Sequence, residues 1–447
     1  MEVTGTLAKF VVDSKFEDIP ENVRHEARRS VLNWLGCAIG ACRHEGIDIA
    51  LAALRDFSGP QQATVLGRGE RLDIMHAALL NGISSHMFDF DDTHLKTVIH
   101  PSGPVASALV ALAEYKPMSG AEFLHAFILG VEVECRIGNA VYPSHYDVGW
   151  HITGTAGVFG AAAAVGKILK LNQQQMTWAL GIAATQSSGL REMFGTMCKP
   201  FHPGRAAQNG MTAAFLAAKN FTSSERGLEA PRGFANVLAT ARNYDEITGN
   251  LGKTWEVSLN TYKPFACGIV IHPIIDGCVQ LRNEHKLKAA DIESIALKVH
   301  PLVLELTGKK TPQVGLEGKF SVFHSAAVAI IHGEGGEDVY SDEVVRNPEV
   351  ITLRDKVSAE VDKSVHEDAA HVTITLKDGR TLVKHVEHAI GSLARPMSDA
   401  NLQAKFRKFS NAILGNAQTD ALLKLCWAVD SLKDAGEIAR ASVPAKR

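Results

Sequence analysis

Residues 153–166 read TGTAGVFGAAAAVG, a run without a charged side chain that is apolar around the whole circumference of any helix it forms. Such a helix has no polar face to turn to water, so it must be central, and its small side chains let neighbouring helices come close. The chain supplies those neighbours. Residues 20–55, 74–86, 103–115, 119–140, 175–189 and 205–220 carry apolar positions at helical spacing. An all-helical first part is expected, ending near residue 260.

The pattern changes near residue 265. Residues 291–300 alternate like a strand, and residues 371–386 read as a hairpin turning at Asp378-Gly379. Helical runs are expected at 273–287, before these strands, and at 320–333 and 351–360, between them. After Arg395-Pro396, Ser398 or Asp399 can cap a further helix, and residues 399–436 return to helical periodicity. The expected fold is mainly α with a smaller α+β domain. Residues 1–265 and 394–447 would form one large helical-bundle domain, with 266–393 an inserted α+β lid. A length of 447 residues, beyond the usual size of one core, agrees with two domains.

A net charge of −3 and a charged fraction of 21% describe an ordinary globular chain and give no reason to expect a nucleic-acid or membrane partner. The N-terminus lacks the basic and apolar regions of a signal peptide, so a cytoplasmic protein is expected. Seven cysteines without a CxxC pair read as reduced, buried thiols. Cys198 stands apart from these because it precedes Lys199, a cation that favours the thiolate.

Between two apolar helical runs lies DFDDTHLKTVIHPSG, residues 89–103. Titratable groups clamped there must be desolvated or line a cleft, and both conditions shift pKa values. Four more segments have this character: 142–151 with His145, Tyr146 and His151; 195–210 with Lys199, His202 and Arg205; 261–268 with Lys263; and 318–327 with Ser321 and His324. His151 stands just before the small-residue helix, where the helix dipole favours neutral imidazole. Glycines 160 and 166 do not form a phosphate loop, and no GxGxxG, HExxH or EF-hand spacing occurs. Asp89, Asp91, Asp92 and His94 could hold a hard divalent ion, but adjacent Asp91 and Asp92 should diverge, and Lys96 or Lys199 would compete. No metal is expected. Asp91 and Asp92 read as capping or lysine-paired residues, and Tyr146 and Arg191 as packing or surface residues.

DFDDT with HPSG, GWHxTGT, GTxxKPxHxGxAAxxG and YKPF, in this order, resemble the MmgE/PrpD family, which includes 2-methylcitrate dehydratase, cis-aconitate decarboxylase and iminodisuccinate epimerase. The resemblance spans nearly the whole chain. It implies a large helical domain, an α+β lid, a homodimer and a cofactor-free active site between the domains. By the matching motifs, Asp89, Thr93, His100, His151, Lys199 and Lys263 fall at the family's active-site positions. The chain departs from the dehydratase and decarboxylase patterns in three places: His94 follows DDT where they carry Trp, Gly103-Pro104-Val105 follows HPS, and His324 stands where the decarboxylases have a lid Tyr.

The step such enzymes share is removal of a proton from carbon beside a carboxylate. It needs a base near that proton and cations on the carboxylate that takes up the charge. Catalytic roles are expected for His100, His151, Lys199, Lys263 and His324, and substrate contacts for Asp89, Thr93, His202 and Arg205. With His324 as a lid-side base opposing one on the helical domain, the favoured expectation is epimerisation of a small imino- or aminodicarboxylate. The alternatives are dehydration of a 2-methylcitrate-like substrate, decarboxylation of a cis-aconitate-like one, or a dimer that binds carboxylates without turnover.

Overall fold

The computed structural model describes residues 2–445. Eight helices dominate its first part: α1 (Val3–Asp13), α2 (Glu21–Ala41), α3 (Ile74–Met87), α4 (Ser102–Tyr115), α5 (Gly120–Val141), α6 (Ile152–Ile168), α7 (Gln173–Ala184) and α8 (Cys198–Ala218). The small-residue run is α6, in which every residue except Lys167 is buried. Helices α4, α5, α7 and α8 pack around it. A Cβ on Gly210 of α8 would lie 2.5 Å from the Ala161 side chain, and one on Gly82 of α3 would lie 2.4 Å from the Gly204 backbone. These helices can cross at this distance only without side chains at those points. Asp73 caps α3, accepting from the amides of Met75 and His76, while Ser119 and Glu122 form a capping box on α5.

One short pairing matters most for function. Strands β1 (Asp92–His94) and β2 (Asn260–Tyr262) run antiparallel, with Asp92 opposite Tyr262 and His94 opposite Asn260. They tie the polar segment 89–103 to the chain immediately before Lys263. Neither strand is visible as a period in the sequence, because three residues are too few to show one.

The second part contains α9 (His272–His285), β3 (Ile292–Val299), α10 (Val322–His332), β4 (Val357–Val361), β5 (Ala370–Leu376) and β6 (Thr381–Val386). The sheet order is β4-β3-β5-β6, with β3 and β4 parallel and the other pairs antiparallel. The hairpin turns at Asp378-Gly379, where Gly379 takes φ of +88°. The run 351–360, expected as one helix, is helical only to Arg354, and Val357 begins β4. Pairing with β3 overrides the local helical pattern there. The mainly α architecture with a smaller α+β part is as expected.

Two more helices follow, α11 (Asp399–Leu414), capped by Ser398, and α12 (Asn416–Trp427). Helix α11 packs along α2. The two parts meet in a shared seam, because the apolar core of the α+β part also takes in Cys37, Phe90 and Phe409. Among the described residues, no helix is long and apolar enough to cross a membrane.

Candidate active site

The cleft lies where the end of α3, the starts of α6 and α8, and the segment after β2 converge on the α+β part. Past α3 the backbone of Asp89 turns through φ of +50°, a conformation that aspartate tolerates. Val98 takes φ of +54°, which is strained for a β-branched residue, and both residues line the cavity. His151 immediately precedes α6, and Lys199 lies in the first turn of α8.

At the cavity floor, Asp89 Oδ1 accepts from both Lys199 Nζ at 2.9 Å and Lys263 Nζ at 2.7 Å. Lys199 Nζ also lies 2.8 Å from His86 Nε2, and His86 Nδ1 donates to Asp91 Oδ2 at 2.6 Å. His100 Nδ1 donates to the Asp92 carbonyl at 2.7 Å, with Thr93 Oγ1 at 3.2 Å. Its tautomer is thereby set, and the neutral ring keeps a lone pair on Nε2. His151 Nδ1 meets His202 Nδ1 at 2.8 Å, and His151 Nε2 is buried without a protein partner. The His86 ring centroid lies 4.7 Å from that of His100 and 5.8 Å from that of His151.

Burial alone would raise the Asp89 carboxyl, but the two ammonium groups outweigh it and hold the pKa well below the usual range. Burial lowers Lys199; for Lys263 the carboxylates of Asp89 and Asp91 overcome burial and the pKa rises. Desolvation lowers His86, and holds His100 and His151 well below ordinary histidine. Near neutral pH the ring thus holds two ammoniums, two carboxylates (Asp89 and Asp91) and neutral imidazoles. Burial and the neighbouring Asp91 push Asp92 up to about 7. Its Oδ2 accepts from Ser102 Oγ and Asn260 Nδ2, both at 2.5 Å.

Asp89, His100, His151, Lys199 and Lys263 all line one cavity, with Tyr146, Phe194 and Phe320 among its other walls. Thr93 and His202 sit behind this layer, bonded to His100 and His151. Two expected residues are elsewhere. Arg205 is exposed and donates to Gln208 Oε1, because its position in α8 faces solvent. His324 is fully buried in α10 and is not among the cavity-lining residues; its Nε2 donates to the Val339 carbonyl at 3.0 Å, and burial lowers its pKa to about 4.

Three residues were missed or undervalued in the sequence. His86 resembles an ordinary core histidine within an apolar helix; its one signal is that it lies three residues before Asp89, at the helix end. Asp91 is the partner of His86 rather than a turn cap, and Tyr146 is a cavity wall.

The nitrogens of His86, His100 and His151 lie within 4.8 Å of one another, as do donor atoms of His86, Asp89 and Asp91. Among the described residues, these are the groups that could approach a metal ion. Their chemistry fits a dication poorly, since Lys199 occupies His86 Nε2 and two ammonium groups share the floor.

The family model for the MmgE/PrpD N-terminal domain matches residues 5–247, and that for the MmgE/PrpD C-terminal domain matches residues 265–429. The cis-aconitate decarboxylase of Mus musculus is 28% identical over 459 aligned residues, covering 98% of this chain and 93% of that protein. The cis-aconitate decarboxylase of Aspergillus terreus is 26% identical over 462, covering 97% and 94%. The mitochondrial 2-methylcitrate dehydratase of Yarrowia lipolytica is 24% identical over 437, covering 88% and 81%.

Proposed function

This chain belongs to the MmgE/PrpD family, and from that premise we propose that it is a lyase that decarboxylates a cis-aconitate-like tricarboxylate. The observation that carries the reading is the pair of ammonium groups, Lys199 and Lys263, on a buried floor ringed by neutral histidines. Full-length likeness to two cis-aconitate decarboxylases supports it.

In this reaction the bond from the saturated arm of the substrate to its carboxylate breaks and releases carbon dioxide. The electron pair shifts across the alkene toward the far carboxylate, and the carbon beside that carboxylate takes one proton. Each turnover therefore consumes one proton. Lys199 and Lys263 hold the carboxylate that receives the developing charge, in a site where burial strengthens that attraction. A substrate trianion raises the pKa of the histidines beside it, so His151, with Nε2 free toward the cavity, takes up a proton on binding and gives it to carbon. His202 holds the His151 ring through its Nδ1, and the Asp92 carbonyl and the Asp91 carboxylate orient His100 and His86 beside it.

Epimerisation, the favoured expectation from sequence, loses its support. It required His324 as a second base across the substrate, and His324 Nε2 is spent on the Val339 carbonyl away from the cavity. The relatives also favour a lyase. The proposal includes a homodimer, as the family resemblance implies, checked by light scattering, and a cytoplasmic location, checked by fractionation.

The test is incubation with cis-aconitate in deuterated water, following gas evolution, acid uptake and product mass. One carbon dioxide, one proton consumed and one deuterium on carbon are expected per turnover. No reaction there but dehydration of 2-methylcitrate would move the chain to the hydro-lyases, and deuterium exchange at the α-carbon of an aminodicarboxylate, with no gas from either acid, would restore epimerisation.

A further inference from the structure

We propose that Arg191 admits and selects the substrate, its guanidinium exchanging Glu305 for a substrate carboxylate in the chamber that adjoins the catalytic cavity behind Tyr146. The inference rests on the reading of the substrate as a small polycarboxylate.

The cavity has a volume of only about 40 Å³, room for a few waters at the ~10–15 Å³ that each needs. A six-carbon tricarboxylate cannot fit until the walls part. Two larger chambers adjoin it. One, of about 490 Å³, shares Val98, Ile269 and Val270 with the cavity and is also lined by Lys96, His300, Lys363 and His366. The other, of about 680 Å³, shares Phe194 and Leu306 with it and is lined by Arg191, Glu305 and Lys309.

Arg191 spans the two parts of the molecule in that chamber. Its Nη2 donates to Glu305 Oε1 at 2.5 Å, on the short helix Pro301–Thr307 of the α+β part. Its Nη1 donates to the Tyr146 carbonyl at 2.8 Å, and the guanidinium stacks 4.2 Å from the centroid of the Tyr146 ring, itself a cavity wall. The Nε is buried and has no partner. The edge formed by Nε and Nη2 is the one that grips a carboxylate through two parallel bonds. Glu305 fills half of that edge. A side chain that is 51% exposed is also a weakly held partner. An arriving carboxylate can therefore complete the fork, release Glu305 and loosen the seam between the two parts in one exchange.

Opposite effects from the two partners distinguish selection from a simple latch. Arg191→Gln should weaken binding of tricarballylate, a saturated and unreactive tricarboxylate, by about tenfold or more in calorimetry. It should raise KM for cis-aconitate similarly with little change in kcat. Glu305→Gln should shift both quantities the other way, and Arg191→Lys, which keeps the charge but not the fork, should fall between wild type and Arg191→Gln. Arg191→Gln and Glu305→Gln moving binding in the same direction would reduce the pair to a latch and overturn the proposal, as would unchanged binding in Arg191→Gln. Failure of the wild type to decarboxylate cis-aconitate while binding tricarballylate would overturn the proposed reaction alone, and absence of any tricarballylate binding would overturn both.

Discussion

The two walls of the cavity differ in kind. From the N-terminal side come Asp89, Val98, His100, Tyr146, His151, Phe194, Lys199 and Lys263; from the α+β side come Gly268, Ile269, Val270, Leu306, Thr307 and Phe320, none of them titratable. One wall supplies charges and protons, and the other supplies shape and excludes water. A reaction that moves a proton from one face of a carbon to the other asks for acid–base groups on both walls. A reaction that breaks a bond and delivers one proton asks for them on one, and that is the arrangement here. Dryness also adds to the first wall's effect, since attraction between the ammoniums and a substrate carboxylate grows as water leaves.

The largest effect should come from the polar wall. His151→Gln is expected to lower turnover by about 10²–10⁴-fold, the range for losing a positioned acid, with an unchanged circular dichroism spectrum. Normal turnover with a lowered Tm would make His151 structural and break the contrast between the walls.

On the apolar wall, Phe320→Ala should cost stability before chemistry. Removing a ring that is 5% exposed is expected to cost about 3–5 kcal/mol in denaturant unfolding, with a smaller loss of turnover than in His151→Gln. A turnover loss equal to that of His151→Gln at full stability would show that this wall takes part in the chemistry.

Asp92 sharpens the comparison through pH. Its folded pKa of about 7 lies above the ordinary aspartate value of 3.8, so the folded state binds the proton more tightly than the unfolded chain. The stability this contributes is complete below pH 3.8 and is lost as pH rises through about 7. Asp92→Asn, which mimics the protonated acid, should remove a slope of up to ~1.4 kcal/mol per pH unit across that window. An unaltered slope in urea unfolding from pH 4 to 8 would place the proton elsewhere. The smallest effect is expected from His324→Gln, with turnover unchanged and only a modest fall in Tm; a large loss of turnover would restore a base on the α+β side.

The comparison also explains what could be read from residues alone. Five of the nine expected site residues line the cavity, and each lies at a helix start or in a loop beside a motif, where local chemistry announces itself. His86 hid within the apolar period of α3, where a buried ligand and a core histidine look alike. Arg205 and His324 misled because each sits beside site residues in sequence while its helix turns it elsewhere.

The sequence by itself determined the central small-residue helix, the mixed character of the second part, the family, and the concentration of acids, lysines and histidines in five segments. These follow from local periodicity and from side-chain chemistry, which do not depend on distant contacts. Only the tertiary structure decided which of those groups share a cavity. The β1–β2 pairing brings Lys263 to Asp89, the crossing of α8 over α3 at Gly82 and Gly204 brings Lys199 to His86, and the phase of α10 turns His324 toward Val339. Helix phase and strand register are fixed by packing between residues far apart in the chain, and that information is absent from any local window of sequence.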